Sequence, residues 1–189
     1  MIVVYSGSFN PFHYGHLDII RSLVGKDWVD KVIVVVSPKN PGKSESVYIQ
    51  SPQDRLMAVR EVVERFGLSD KVEVSDIEFS RPQPIYTVPT LQEIQTLYPN
   101  AEVRYVCGAD CLDKITKWRN AKTLVEDIGI IVFPRIGYDL LEISKLAMSK
   151  YPKGKIDFIW DMPREISSTE IRRRIKEGED YSELSPVKV

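Results

Sequence analysis

Of the 189 residues only two are cysteine and two histidine. Cys107 and Cys111 stand four apart with no second pair and no histidine nearby. That excludes a disulfide framework and a cysteine-rich zinc site, and it fits small semi-buried thiols in a reducing compartment. Net charge is missing too, since 26 Lys and Arg against 27 Asp and Glu leave −1. Without a global basic field nucleic acid has little to hold it, so any phosphate contact must be local. No apolar run is long enough to span a bilayer, and Met1-Ile2-Val3-Val4 enters a strand-like run with no basic leader. The expectation is a cytoplasmic chain with no nucleic-acid and no membrane partner. What is present is ordinary globular composition, 43% hydrophobic and 28% charged, enough for one domain with a sizeable core.

Short β-branched runs alternate with longer amphipathic segments. Ile2 to Tyr5, Lys31 to Val36, Lys71 to Val74, Glu102 to Cys107, Gly129 to Phe133 and Ile156 to Ile159 read as strands. Lys31 to Val36 is apolar on both faces, as a buried parallel strand must be. Helical spacing marks His16 to Leu23, Pro52 to Phe66, Thr87 to Leu97 with Thr87 as N-cap, Trp118 to Glu126, Leu140 to Ser149 and Ser167 to Lys176. The pattern predicts an α/β fold, a Rossmann-like doubly wound parallel sheet with helices on both faces and ligands outside the carboxyl ends of the strands. One domain should cover residues 1–180, with a short linker-like tail at 181–189.

Both histidines fall in the turn after the first strand, Gly7-Ser8-Phe9-Asn10-Pro11-Phe12-His13-Tyr14-Gly15-His16. Glycines there let backbone approach a phosphate, and the following helix offers free N–H groups. Imidazoles can donate to phosphate oxygens whose charge grows in a transition state. At the other end, Ile166-Ser167-Ser168-Thr169-Glu170-Ile171-Arg172 places hydroxyls and N–H groups at a helix start, with an arginine fork one turn on.

His13-Tyr14-Gly15-His16 resembles the H-x-G-H signature of the nucleotidyltransferase superfamily of α/β phosphodiesterases, and Ile166 to Arg172 resembles its I-S-S-T-x-x-R signature. Between them, Gly108-Ala109-Asp110 followed by Lys117-Trp118, then Pro134-Arg135-Ile136-Gly137, are similar to bacterial nicotinate mononucleotide adenylyltransferases. So are the loop Pro38 to Lys43, Asp54-Arg55, and Tyr86-Thr87-Val88-Pro89-Thr90-Leu91. The chain departs from the family pattern at Asn10, Gly42, Pro89 and Ile136, mostly in acceptor-side loops.

The resemblance implies adenylyl transfer from Mg-ATP to nicotinate mononucleotide, with nicotinamide mononucleotide as a further acceptor, in NAD biosynthesis. The catalytic set it implies is His13, His16, Lys43 and Arg172. ATP would meet Gly7, Ser8, Phe9, His13, Gly15, His16, Gly108, Asp110, Ile166, Ser167, Ser168, Thr169 and Arg172. The mononucleotide would meet Ser8, Lys43, Arg55, Tyr86, Thr87, Asp110, Trp118, whose indole suits a flat heterocycle, and Arg135. Mg²⁺ is expected to come with ATP rather than in a protein cage. A homo-oligomer stays open. The rivals are pantetheine-phosphate adenylyltransferase, which shares both end motifs, and a non-catalytic nucleotide sensor.

Overall fold

The computed structural model describes residues 1–39, 44 and 47–189. Six parallel strands form one sheet: β1 Ile2–Gly7, β2 Lys31–Val36, β3 Val72–Ser75, β4 Val103–Gly108, β5 Ile130–Phe133 and β6 Ile156–Phe158. Their order is β3-β2-β1-β4-β5-β6, and every pairing is parallel. The chain winds outward from β1 in one direction, then returns to start again at β4. The β1/β4 junction is therefore the switch point, where crossovers diverge to opposite faces and leave a crevice.

Strand side chains alternate between two cores. Val3, Tyr5, Val32, Val34, Val106 and Ile131 face α1 (Tyr14–Val24) and α2 (Pro52–Arg65), meeting Leu17, Ile20, Leu23, Val59 and Val62. Val4, Ile33, Tyr105, Cys107, Ile130 and Val132 face α3 (Thr87–Leu97) and α5 (Leu140–Lys150), meeting Val88, Leu91, Ile94 and Ala147. Both faces of the sheet are thus covered by helices, as the alternating pattern predicts. The last helix, α6 (Ser168–Glu177), starts at the N-cap Ser167 and stops at Gly178, whose φ of 71° suits glycine.

Two local expectations are corrected. Thr87 is the first residue of α3 and Tyr86 holds the N-cap position without a side-chain hydrogen bond. The stretch Trp118 to Glu126 is not one helix. After β4 come a single turn α4 (Ala109–Leu112), a 3₁₀ turn (Ile115–Lys117) closed by Trp118, and a π-helical turn (Thr123–Ile128). Buried Leu124 and Val125 sit on that wider turn, so packing onto the sheet overrides the helical spacing read from the sequence.

The segment from Tyr181, read as linker-like, packs onto the domain. Ser185 is buried, Val187 contacts the α1/α2 core, and the Arg65 side chain donates to Pro186 O.

Candidate active site

A cleft of about 170 Å³ opens at the carboxyl ends of β1, β4 and β5. Its walls include Gly7, Phe9, His13, Gly15, His16, Gly108, Asp110, Arg135 and Ile166, all among the residues the sequence pointed to. They come from four separated stretches of chain, brought together because β1 and β4 are neighbours at the switch point.

His13 and His16 begin α1 as a reciprocal capping box. His13 Nδ1 accepts from the His16 backbone N–H at 3.3 Å, and His16 Nδ1 accepts from the His13 backbone N–H at 3.2 Å. Ser or Thr with Glu or Gln three residues on usually make such a box; here two imidazoles make it, with their ring centroids 3.5 Å apart. Because each Nδ1 accepts, the proton of a neutral ring belongs on Nε2, and both residues line the cleft. Burial pushes the His13 pKa down to about 3, with the nearby Arg135 charge adding to the effect. At neutral pH His13 is an uncharged hydrogen-bond donor. Phe9 and Phe12 support the second ring, with centroids 5.0 Å and 5.3 Å from that of His16.

Gly15 is required by contact. A Cβ there would lie 2.6 Å from Arg164 O and 3.1 Å from His13 Nδ1. The start of α1 can therefore lie against the segment leading into α6 only without a side chain at that position. Asp18 holds the same approach with a two-pronged pair to Arg164, both contacts at 2.8 Å. The Arg164 guanidinium also covers the Tyr14 ring at 4.4 Å.

The second motif adjoins the first. Ser168 Oγ donates to Pro11 O at 3.0 Å, and Arg172 donates to Asn10 O at 2.7 Å and to Thr169 Oγ1 at 2.9 Å. Ser167 caps α6 by accepting from Glu170 N–H. The carbonyls of the histidine loop thus face donors from α6.

The expected mononucleotide residues divide. Asp110 and Arg135 meet in the cleft as an ion pair at 3.2 Å, with Glu165 a second partner of Arg135 at 3.8 Å. Trp118 packs edge-on against Tyr105 with centroids 6.3 Å apart, and Tyr86 lies under the Arg119 guanidinium at 4.9 Å. Trp118, Tyr86 and Thr87 are not among the residues lining the cleft, though Trp118 touches Tyr105, which is. Lys43 lies outside the described residues.

Arg55 lies apart from the residues that line the cleft. It is fully buried and donates to the carbonyls of Ser8, Ser37 at 2.8 Å and Pro38 at 2.7 Å. A guanidinium bonded to three carbonyls under the loop shapes the turns after β1 and β2. Ser8 is buried with it.

Several cleft residues had no signal in the sequence. Tyr5, Tyr105, Cys107 and Cys111 form its floor. Burial raises all four pKa values, that of Cys111 to about 11. They look like core residues because they are core residues whose far ends surface at the switch point. Among the described residues no group of three or more His, Cys, Asp or Glu side chains is placed to hold a metal ion.

A switch-point cleft with paired imidazole donors, an arginine and two helix starts defines a nucleotide-binding α/β protein of the nucleotidyltransferase type. Comparison with known proteins agrees. The model of the cytidylyltransferase-like family matches residues 4–174. A probable nicotinate-nucleotide adenylyltransferase from Flavobacterium johnsoniae is 39% identical over 189 residues, covering 100% of this chain and 93% of the relative. One from Clostridium tetani is 34% identical, covering 98% and 92%. The fold matches the Plasmodium falciparum nicotinic acid mononucleotide adenylyltransferase complexed with NaAD, at a TM-score of 0.79, 22% identity and 95% and 85% coverage. The chain belongs to the cytidylyltransferase-like family, within its nicotinate-nucleotide adenylyltransferases.

Proposed function

We infer that the protein transfers the adenylyl group of ATP to nicotinate mononucleotide, releasing pyrophosphate and forming the dinucleotide in NAD synthesis. The mononucleotide 5′-phosphate oxygen forms a bond to the ATP α-phosphorus as the bond from that phosphorus to the bridging oxygen breaks. The bond pair leaves with pyrophosphate. A phosphate monoester is already a nucleophile at neutral pH, so the protein has no proton to remove. Its work is alignment and stabilisation of charge on the departing oxygens.

The observation that carries this reading is the reciprocal histidine cap. It supplies two Nε2–H donors, fixed in tautomer before substrate arrives, at the switch point where nucleotides bind in such sheets. The start of α6 and Arg172 add donors beside them, supporting a triphosphate laid along both motifs. Arg135, in the cleft between Asp110 and Glu165, is suited to a substrate phosphate or to the nicotinate carboxylate. In this reading Trp118 and Thr87 serve the pyridine ring, the indole offering a flat face to the heterocycle.

Magnesium would travel on the triphosphate, where it neutralises phosphate charge. The cleft carboxylates Asp110 and Glu165 already pair with Arg135, which fits a metal held by substrate oxygens and water. A cytoplasmic location is part of this reading, supported by the two free cysteines.

The test is pyrophosphate release with Mg-ATP and nicotinate mononucleotide, nicotinamide mononucleotide or 4′-phosphopantetheine. Turnover is expected with nicotinate mononucleotide ahead of the amide. Turnover with phosphopantetheine alone, or ATP binding without turnover on any acceptor, overturns the reading. His16→Ala should remove turnover and keep the fold.

A further inference from the structure

Three consecutive carbonyls of the histidine loop are each taken by a side chain from the last quarter of the chain. Arg172 takes Asn10 O, Ser168 takes Pro11 O, and Ser185 Oγ donates to Phe12 O at 2.7 Å. The first two belong to a recognised motif and the third does not. Ser185 lies in the tail, yet it is 5% exposed, and its hydroxyl also accepts from Val187 N–H at 3.0 Å. One residue earlier, Leu184 O accepts from the Tyr14 backbone N–H at 3.0 Å. The tail therefore grips the peptide group before His13 and the one after it.

His13 has an extended backbone, φ −143° and ψ 169°, at the point where loop becomes helix. Its ring orientation, and the capping box that fixes both imidazole tautomers, depend on that conformation. The box holds the His13 N–H, the first turn of α1 holds the His13 carbonyl through the His16 and Leu17 N–H groups, and the tail holds the Phe12 carbonyl and the Tyr14 N–H on either side. A group that orients catalytic donors must itself be locked, since sub-ångström misplacement lowers rate more than binding.

We propose that Ser185 is a positioning residue for the histidine pair, pinning the His13 backbone through the Phe12 carbonyl so that both Nε2–H groups face the cleft. Its kinetic consequence rests on the adenylyl-transfer reading given above; its structural consequence does not. The tail from Leu184 to Val187 is accordingly part of the active-site scaffold.

The test compares Ser185→Thr with Ser185→Val, equal in shape and different only in the hydroxyl. The Thr variant should keep kcat within about twofold, and the Val variant should lose about tenfold, the worth of one buried hydrogen bond. KM for ATP and for the mononucleotide should stay within about twofold in both. Ser182→Ala, in the same tail but with an exposed hydroxyl bonded to Asp180, should match the parent. Because the chain has two histidines only, ¹⁵N spectra of the imidazoles give a second readout. Both Nδ1 atoms should be unprotonated in the parent and the Thr variant, with mixed tautomers in the Val variant.

Equal kcat for Thr and Val, or a loss confined to KM, overturns the proposal and leaves Ser185 a packing residue. If the Val variant does not fold, Ser185→Ala is read against the same two outcomes. If the parent turns over no pyridine mononucleotide, the reaction reading fails while the imidazole spectra still decide the role of Ser185.

Discussion

Lowering the pH from 7 to 5 will remove about 2 kcal/mol of folding stability through His13 alone. The folded-state pKa of this ring is depressed to about 3 by burial and by Arg135, against an ordinary value of 6.5. Below pH 6.5 the unfolded chain binds a proton there that the native state refuses. The unfolded state then carries more protons, so stability rises with pH across this window and is lost as pH falls through it. Between pH 6.5 and 5 the unfolded chain gains about 1.5 pH units of binding free energy at roughly 1.4 kcal/mol each, hence the ~2 kcal/mol. The loss would approach ~5 kcal/mol only near pH 3. The assay is urea unfolding at pH 7, 6 and 5 for the parent and for His13→Gln, whose amide does not titrate. The parent should lose ~2 kcal/mol more than the variant over this range, whatever the offset between them at pH 7. Parallel pH profiles, or an imidazole titration of His13 centred near 6.5, would refute the argument. Either would mean that the ring is solvated and its Nδ1 free to protonate, so that the capping box does not set its tautomer.

The remaining predictions follow from single contacts. Arg55→Leu leaves the Ser8, Ser37 and Pro38 carbonyls without their donor and should cost about 3 kcal/mol in urea unfolding; an unaltered midpoint would return Arg55 to the ligand side. Gly15→Ala drives a methyl to within 2.6 Å of Arg164 O. It should destabilise by about 1–3 kcal/mol and lower kcat at least tenfold, and steady-state rates at wild-type level would contradict the close approach. Asp18→Asn weakens a pair that is partly exposed on both sides. Its stability cost should stay within about 1 kcal/mol, with the effect appearing in KM for ATP as the segment before α6 loosens. Trp118→Leu should raise KM for nicotinate mononucleotide and leave that for ATP unchanged; equal effects on both would mark Trp118 as support for Tyr105.

The sheet was legible because buried parallel strands must be apolar on both faces, and Lys31 to Val36 could be little else. The stretch after β4 was misread because Trp118 to Glu126 carries helical spacing while Leu124 and Val125 settle into a π-helical turn on the sheet. Local periodicity reports which side is apolar, not how many residues each turn will take. Arg55 carries a mononucleotide role by resemblance, and only the fold brings the Ser8, Ser37 and Pro38 carbonyls over it.

The sequence by itself determined the layer architecture, the position of the histidines after β1 and of the Ser-Ser-Thr turn before α6, and with them the family. These are local patterns, written in strand periodicity and in residue types that a phosphate site needs. Only the tertiary structure decided that the two histidines cap each other and so share one tautomer, that Arg135 sits between Asp110 and Glu165, and that the tail closes on both sides of His13. Those depend on which carbonyl or N–H comes within about 3 Å of which side chain. Backbone groups are the same at every residue, so no sequence pattern marks the ones that will be left needing a partner.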